Sequence, residues 1–285
     1  MIRARTIKDA RAILQKTRKD SPESSIGFVP TMGALHRGHL SLIECSNSRN
    51  DITVVSIFVN PTQFNNKNDL KNYPRDLSKD LRLLNNMPCQ IVFTPTVEEM
   101  YPQEDTRTFD FGNLDKIMEG KHREGHFNGV AQIVSKLFET VEPDNAYFGQ
   151  KDFQQLAIIK QLVKKYMPQS GINIVGCPIV RESGGLALSS RNELLTPEQR
   201  KNATLISQTL FKIESLSARM SVNNVKQWVT EQINQNPCLE VEYFEIADAN
   251  SLKAVQNWDK SNEIVCCIAV FAGQVRLIDN IVLSG

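Results

Sequence analysis

Two histidines, His36 and His39, flank Arg37 and Gly38 at the end of the run Pro30-Thr31-Met32-Gly33-Ala34-Leu35-His36-Arg37-Gly38-His39. Apolar residues at 26–29 precede this run and an amphipathic stretch at 40–45 follows it, which reads as strand, tight loop and helix. A helix start carries unpaired backbone N–H groups and a partial positive charge, so it attracts phosphate. Gly33 and Gly38 let backbone come close to a ligand. The two imidazoles add donors aimed at the same place. The chemistry predicted is a polyphosphate cradle that lacks the lysine of a Walker loop. A histidine pair at this spacing is more often ordinary helix surface; the strand and the Pro-Thr-Met-Gly turn ahead of it favour a site.

Three other blocks carry candidate chemistry. Asn60 and Gln63, in Val59-Asn60-Pro61-Thr62-Gln63-Phe64, are amides suited to a hydroxyl, a carbonyl or a carboxylate held without full neutralisation. An Asn-Pro turn is the plain alternative. In Phe148-Gly149-Gln150-Lys151-Asp152, Lys151 sits at a helix start, where a cation is out of place unless it holds an anion. Asp152 suits an N-cap or a ribose hydroxyl, and Gln155, one turn on, is expected to share a face with Lys151. In the third block Gly184-Gly185 reads as a hinge before Ser189-Ser190-Arg191, whose hydroxyls and guanidinium can wrap a pyrophosphate as a mobile clamp. A tripeptide of this kind is common by chance. Arg123 and His126 lie in a polar, glycine-bearing lead into a helix; contact with a carboxylate and plain cap chemistry account for them equally well.

These blocks need strands to end just before them. Apolar runs at 26–29, 52–59, 91–93, 145–148 and 172–175 supply such strands. Helical patterns at 76–86, 130–141 and 153–166 lie between them. The alternation predicts an α/β fold, a Rossmann-like doubly wound parallel sheet that binds ligands beyond the carboxyl ends of its strands. After about residue 180 the pattern changes to helices at 197–213 and 222–234, then strands at 241–247, 264–271 and 275–283 with a hairpin turn at 271–275. A smaller C-terminal α+β domain is expected there, giving domains at 1–180 and 181–285.

The chain has 285 residues, with 33 Lys+Arg against 32 Asp+Glu, for a formal net charge of +1. No global field draws it to nucleic acid or an anionic membrane. No apolar run reaches the length of a membrane span, and no apolar core follows the charged N-terminus as in a signal peptide. The six cysteines show no Cys-x-x-Cys spacing. Reduced thiols in a cytoplasmic protein are expected, with no metal bound by them.

Taken together the motifs resemble the pantothenate synthetase (pantoate–β-alanine ligase) family of the nucleotidylyltransferase superfamily. The blocks that carry the likeness are Pro-Thr-Met-Gly-Ala-Leu-His-x-Gly-His, Phe-Val-Asn-Pro-x-Gln-Phe, Tyr73-Pro74-Arg75, Gly-His-Phe-x-Gly-Val, Phe-Gly-x-Lys-Asp-x-Gln-Gln-Leu, Val-Arg-Glu and Leu-Ser-Ser-Arg-Asn, in order from 30 to 192. The closing Arg276-Leu277-Ile278-Asp279-Asn280 also fits. Gln150 stands where many members carry Glu, and Asn128 where others often carry Arg or Ala.

The resemblance implies an ATP-dependent ligase that condenses pantoate with β-alanine through a pantoyl adenylate, releasing pyrophosphate and AMP. By the same likeness ATP is held by Met32, Gly33, His36, Gly38 and His39, by Gly149, Gln150, Lys151 and Asp152, and by Val180, Leu188, Ser189, Ser190 and Arg191. His36, His39, Lys151 and Arg191 are the expected catalytic groups. His39 is the expected proton donor, since an unperturbed imidazole titrates near ~6.5 and is readily cationic beside phosphate. Asn60, Gln63 and Gln155 are the expected pantoate and β-alanine contacts. Mg²⁺ would arrive on the phosphates, and family members are typically homodimers. The C-terminal domain would be a lid on the ATP- and pantoate-binding domain. The rivals are a nucleotidylyltransferase acting on a phosphorylated alcohol, which needs an extra basic cluster, and a silent nucleotide-binding regulator, which would have lost the histidines or Lys151.

Overall fold

The computed structural model describes residues 1–284. Its strands are β1 (Ile2–Ala4), β2 (Ile26–Thr31), β3 (Ile52–Ile57), β4 (Ile91–Phe93), β5 (Asn145–Gly149), β6 (Asn173–Cys177), β7 (Leu239–Asp248), β8 (Glu263–Ala272) and β9 (Val275–Ser284). Its helices are α1 (Ile7–Asp20), α2 (Arg37–Asn47), α3 (Lys67–Asn72), α4 (Leu77–Asn85), α5 (Val97–Met100), α6 (Met118–His122), α7 (His126–Val141), α8 (Phe153–Tyr166), α9 (Pro197–Leu210), α10 (Ile213–Ser217) and α11 (Val222–Asn234). The described chain divides into two units, Met1–Gln150 with Gln155–Pro178, and Lys151–Gln154 with the chain from Ile179 onward.

In the first unit six strands pair in the order β1-β4-β3-β2-β5-β6. Every pairing is parallel. Neighbouring residues of one strand point to opposite faces, so a strand covered on both sides is apolar at nearly every position. Phe28, Val54, Phe93 and Phe148 pack with α1, α7 and α8 on one face. Val29, Val55, Val92 and Tyr147 pack with Leu42 and Ile43 of α2 and Leu84 of α4 on the other. The chain order reverses between β2 and β5, and in open parallel sheets ligands bind at such a switch point. β2 runs into the Met32–His39 loop, and β5 ends at Gly149.

β1 and α1 are absent from the sequence-based expectation. Only Ala10 and Leu14 of α1 are buried, which leaves a weak apolar stripe. Its start is nonetheless written in the sequence, because the Thr6 hydroxyl accepts from Asp9 N at 3.0 Å as an N-cap.

In the second unit β7, β8 and β9 form an antiparallel sheet. Ile264, Cys266, Ile268 and Val270 of β8 pack with Ala203, Ile206 and Leu210 of α9 and Val225, Val229 and Ile233 of α11. β8 and β9 are joined at Gly273-Gln274, as the hairpin signal predicts. Lys151–Gln154 cluster with this unit, in which Asn280 Nδ2 donates to Lys151 O at 2.9 Å. The six cysteines are free thiols. Burial pushes Cys89 up to about 11 and Cys266 up to about 12.

Candidate active site

The loop after β2 makes a turn that few side chains tolerate. Gly33 and Ala34 are both left-handed, with φ of 79° and 49°. Asp80 of α4 holds this turn, its Oδ2 accepting from Ala34 N at 3.0 Å and its Oδ1 from Leu35 N at 2.8 Å. Burial of Asp80 pushes its carboxyl above the usual range, against the pull of those two bonds.

The next N–H groups are taken by the histidines themselves. His36 is the N-cap of α2, and its Nδ1 accepts from Gly38 N at 3.1 Å. His36 N donates to His39 Nδ1 at 3.3 Å. His39 N and Leu40 N both donate to His36 O, at 2.8 and 3.1 Å. The ring centroids lie 4.1 Å apart.

This corrects one expectation. Ala34, Leu35, His36 and Gly38 do not offer unpaired backbone N–H groups to a phosphate, because a carboxylate and two imidazoles already accept from them. Each histidine Nδ1 is an acceptor, so the proton of the neutral ring sits on Nε2. A cationic His39 would turn an Nδ1–H against His36 N–H and break the cap.

The amide block lies in the same unit, in the turn Pro61–Gln63 after β3. Asn60 and Gln63 are buried, at 1% and 7% exposure. Asn60 Nδ2 donates to Gly129 O at 3.0 Å and to Gln63 Oε1 at 3.2 Å. Asn60 Oδ1 accepts from Tyr101 OH at 2.7 Å and from Thr62 Oγ1 at 3.2 Å. Gln63 Nε2 points at Met32 Sδ, 3.1 Å away. Gln63 O faces His126 Nδ1 at 2.8 Å, and His126 Nε2 faces Arg123 NH1 at 3.2 Å. A guanidinium only donates, so His126 accepts at Nε2 and donates from Nδ1 to the Gln63 carbonyl. Arg123 and His126 thus brace the turn that carries Gln63. Gln155 is half-buried on α8.

In the second unit Lys151 lies in the 3₁₀ turn Gln150–Asp152 and not in α8, which begins at Phe153. Lys151 Nζ is 3.6 Å from Asp152 Oδ2. Val180 and Leu188 are joined by Leu188 N donating to Val180 O at 2.9 Å, and Arg181 bridges Ala187. Gly184 and Gly185 close this small hairpin. A Cβ on Gly185, at φ 93°, would meet Ser207 Oγ of α9 at 2.7 Å. The glycines serve a tight turn seated on a helix, where the sequence suggests a hinge. Ser189 caps the 3₁₀ turn Ser190–Leu194, its Oγ accepting from Arg191 N at 3.3 Å, and Ser190 is buried. Arg191 is half-exposed.

The sequence gives little warning of the frame around these residues. Arg181 grips Asp279 at 2.6 and 2.9 Å, donates to Gly185 O at 3.1 Å and lies over the Phe211 ring at 4.9 Å. Burial pushes the Asp279 carboxyl up, and Arg181 pulls it down. Asp80 and Tyr101 belong to no recognisable local motif; Arg181 and Asp279 lie in the Val-Arg-Glu and Arg-Leu-Ile-Asp-Asn blocks, but only a contact distant in sequence shows that they pair. Among the described residues no group of three or more His, Cys, Asp or Glu could hold a metal. No helix among them is long and apolar enough to cross a membrane.

The family model for pantoate–β-alanine ligase matches residues 3–282. The pantothenate synthetase of Bacteroides thetaiotaomicron is 56% identical over 276 residues, which cover 97% of this chain and 96% of that protein. That of Flavobacterium psychrophilum is 50% identical over 92% of this chain and 93% of its own. Among solved structures, the pantothenate synthetase of Thermus thermophilus superposes with a TM-score of 0.90 at 39% identity, covering 99% of both chains. The pantoate–β-alanine ligase of Francisella tularensis, complexed with beta-gamma ATP and β-alanine, gives a TM-score of 0.82 at 37% identity over 99% of this chain and 97% of that one. With a family model spanning nearly its whole length and relatives this similar, the chain belongs to the pantoate–β-alanine ligase family.

Proposed function

We propose that this chain makes pantothenate from pantoate and β-alanine at the expense of MgATP, in two steps. A carboxylate cannot form an amide directly at neutral pH, because oxide is a poor leaving group. In the first step a carboxylate oxygen of pantoate bonds to the α-phosphorus of ATP, and the bond to the β-phosphate oxygen breaks. Pyrophosphate departs with the electron pair. In the second step the β-alanine amine bonds to the acyl carbon, AMP leaves, and the amine proton passes to solvent or base.

The observation that carries this reading is the pair of Nδ1-anchored imidazoles at the carboxyl end of β2. Two imidazoles held at Nδ1 can turn Nε2–H donors to a phosphate and stabilise charge there. We assign ATP contacts to Met32, Gly33, His36, Gly38 and His39, to Gly149, Gln150, Lys151 and Asp152, and to Val180, Leu188, Ser189, Ser190 and Arg191. Lys151 and Arg191 supply fixed positive charge to the phosphates. Asn60, Gln63 and Gln155 are assigned to pantoate and β-alanine. Mg²⁺ enters as part of MgATP, held by phosphate oxygens. The active species is a cytoplasmic homodimer, and the chain from 181 acts as a lid on 1–180.

The test is product analysis with purified protein. With ATP, Mg²⁺, pantoate and β-alanine, one AMP and one pantothenate form per ATP consumed. Release of ADP, or AMP formed at full rate when a phosphorylated alcohol replaces pantoate, contradicts the assignment.

A further inference from the structure

We propose that Tyr101 is a positioning residue for the acceptor substrate: acting through Asn60, it holds the Gln63 amide so that the Nε2 amino group, not the carbonyl, meets an oxygen of pantoate. The inference rests on the reading above that Gln63 touches pantoate, and it adds what fixes the direction of that amide.

The oxygen and nitrogen of an amide are told apart by the network around them, and here the network leaves one solution. The carbonyl of Gly129 can only accept, so Asn60 must turn its Nδ2 toward it, at 3.0 Å. Asn60 Oδ1 then faces hydroxyls, Tyr101 OH at 2.7 Å and Thr62 Oγ1 at 3.2 Å. The second N–H of Asn60 is directed to Gln63, where only an acceptor fits, and Oε1 takes it at 3.2 Å. Gln63 therefore displays Nε2. Its contact there is Met32 Sδ at 3.1 Å, a weak acceptor that a carboxylate or hydroxyl oxygen readily outcompetes.

Tyr101 makes the shortest of these bonds and is itself held in place. Lys136 Nζ lies 5.3 Å from the centre of its ring, and the Phe58 ring lies 6.3 Å away. Burial pushes its phenol above the ordinary value, which keeps the hydroxyl protonated as a donor. Without that hydroxyl, Asn60 Oδ1 keeps only the longer bond from Thr62, and the relay to Gln63 loses its stronger pin.

The test is Tyr101→Phe, which keeps the ring, in the wild-type and Gln63→Leu backgrounds. Pantoate and ATP affinities are measured by calorimetry alongside KM for all three substrates. Loss of one neutral hydrogen bond in the relay weakens pantoate about fivefold in the wild-type background, with ATP within about twofold. In Gln63→Leu the same change moves pantoate less than about twofold, because the relay has no end to act on. Equal weakening of pantoate in both backgrounds, an unchanged pantoate affinity in the wild-type background, or a loss of ATP affinity as large as that of pantoate overturns the proposal. If pantoate no longer binds measurably to Gln63→Leu, the single variant decides: pantoate weakened with ATP unchanged supports the relay, and both weakened overturns it. A wild-type protein that forms no pantothenate refutes the functional reading instead.

Discussion

His36 and His39 each spend one ring nitrogen on the backbone of their own helix, and that fixes what the other nitrogen can do. The sequence shows two imidazoles at a helix start; it does not show that they cap it. A donor and a general acid make different demands on position 39. His39→Ala, which removes the donor, should lower turnover by about 10²–10³, the usual cost of losing a preorganised hydrogen bond to developing charge. His39→Gln places an amide N–H near the position of Nε2 and, on the donor account, retains turnover within about tenfold of wild type. Steady-state kinetics of the two variants separate the roles, because a general-acid role makes Gln as poor as Ala. The residues that hold the site were less legible than the residues in it. Asp80 reaches back to Ala34 and Leu35, and Tyr101 to Asn60. No local spacing announces a partner so far away in the chain.

Apart from β1 and α1, the strands and long helices were legible because both faces of the sheet are covered and the apolar runs are correspondingly continuous. Segments held by polar staples were not. The stretch between α5 and α6 has no regular structure at 102–110, yet it is fastened to α7. Gln132 Nε2 donates to Asp105 O at 2.7 Å and to Arg107 O at 2.9 Å, while Asn128 Oδ1 accepts from Phe109 N at 2.9 Å. Asp105 is gripped by Arg107 at 2.7 Å and faces Lys136 Nζ at 3.3 Å. The Arg107 side chain beside it, with help from Arg107 N–H and Lys136, holds its carboxyl down at about 2, against an ordinary 3.8. A carboxyl depressed by folding stabilises the fold above its ordinary value and loses that contribution as pH falls toward the folded one. Thermal melting of the wild type should therefore lose stability between about pH 4 and about pH 2 through this group. Asp105→Asn should be less stable than wild type at pH 7, and the gap should close toward pH 2. A gap that stays constant with pH would show that the ion pair contributes nothing through ionisation.

At the scale of the molecule, the parallel sheet and the later antiparallel one follow from the change in pattern near residue 180. The grouping of Lys151–Gln154 with the second unit does not, because the bond from Asn280 to the Lys151 carbonyl joins residues far apart in the chain. A formal net charge of +1 gives the chain no general pull on polyanions, so its affinity for a triphosphate must come from placed groups. The whole fold then serves one order of events, in which pantoate is adenylated before β-alanine takes part. Exchange of labelled pyrophosphate into ATP measures that order directly. Exchange should proceed with protein, MgATP and pantoate alone, should stop when pantoate is left out, and should need no β-alanine. Exchange that appears only when β-alanine is present would mean a concerted ligation and would contradict the two-step account.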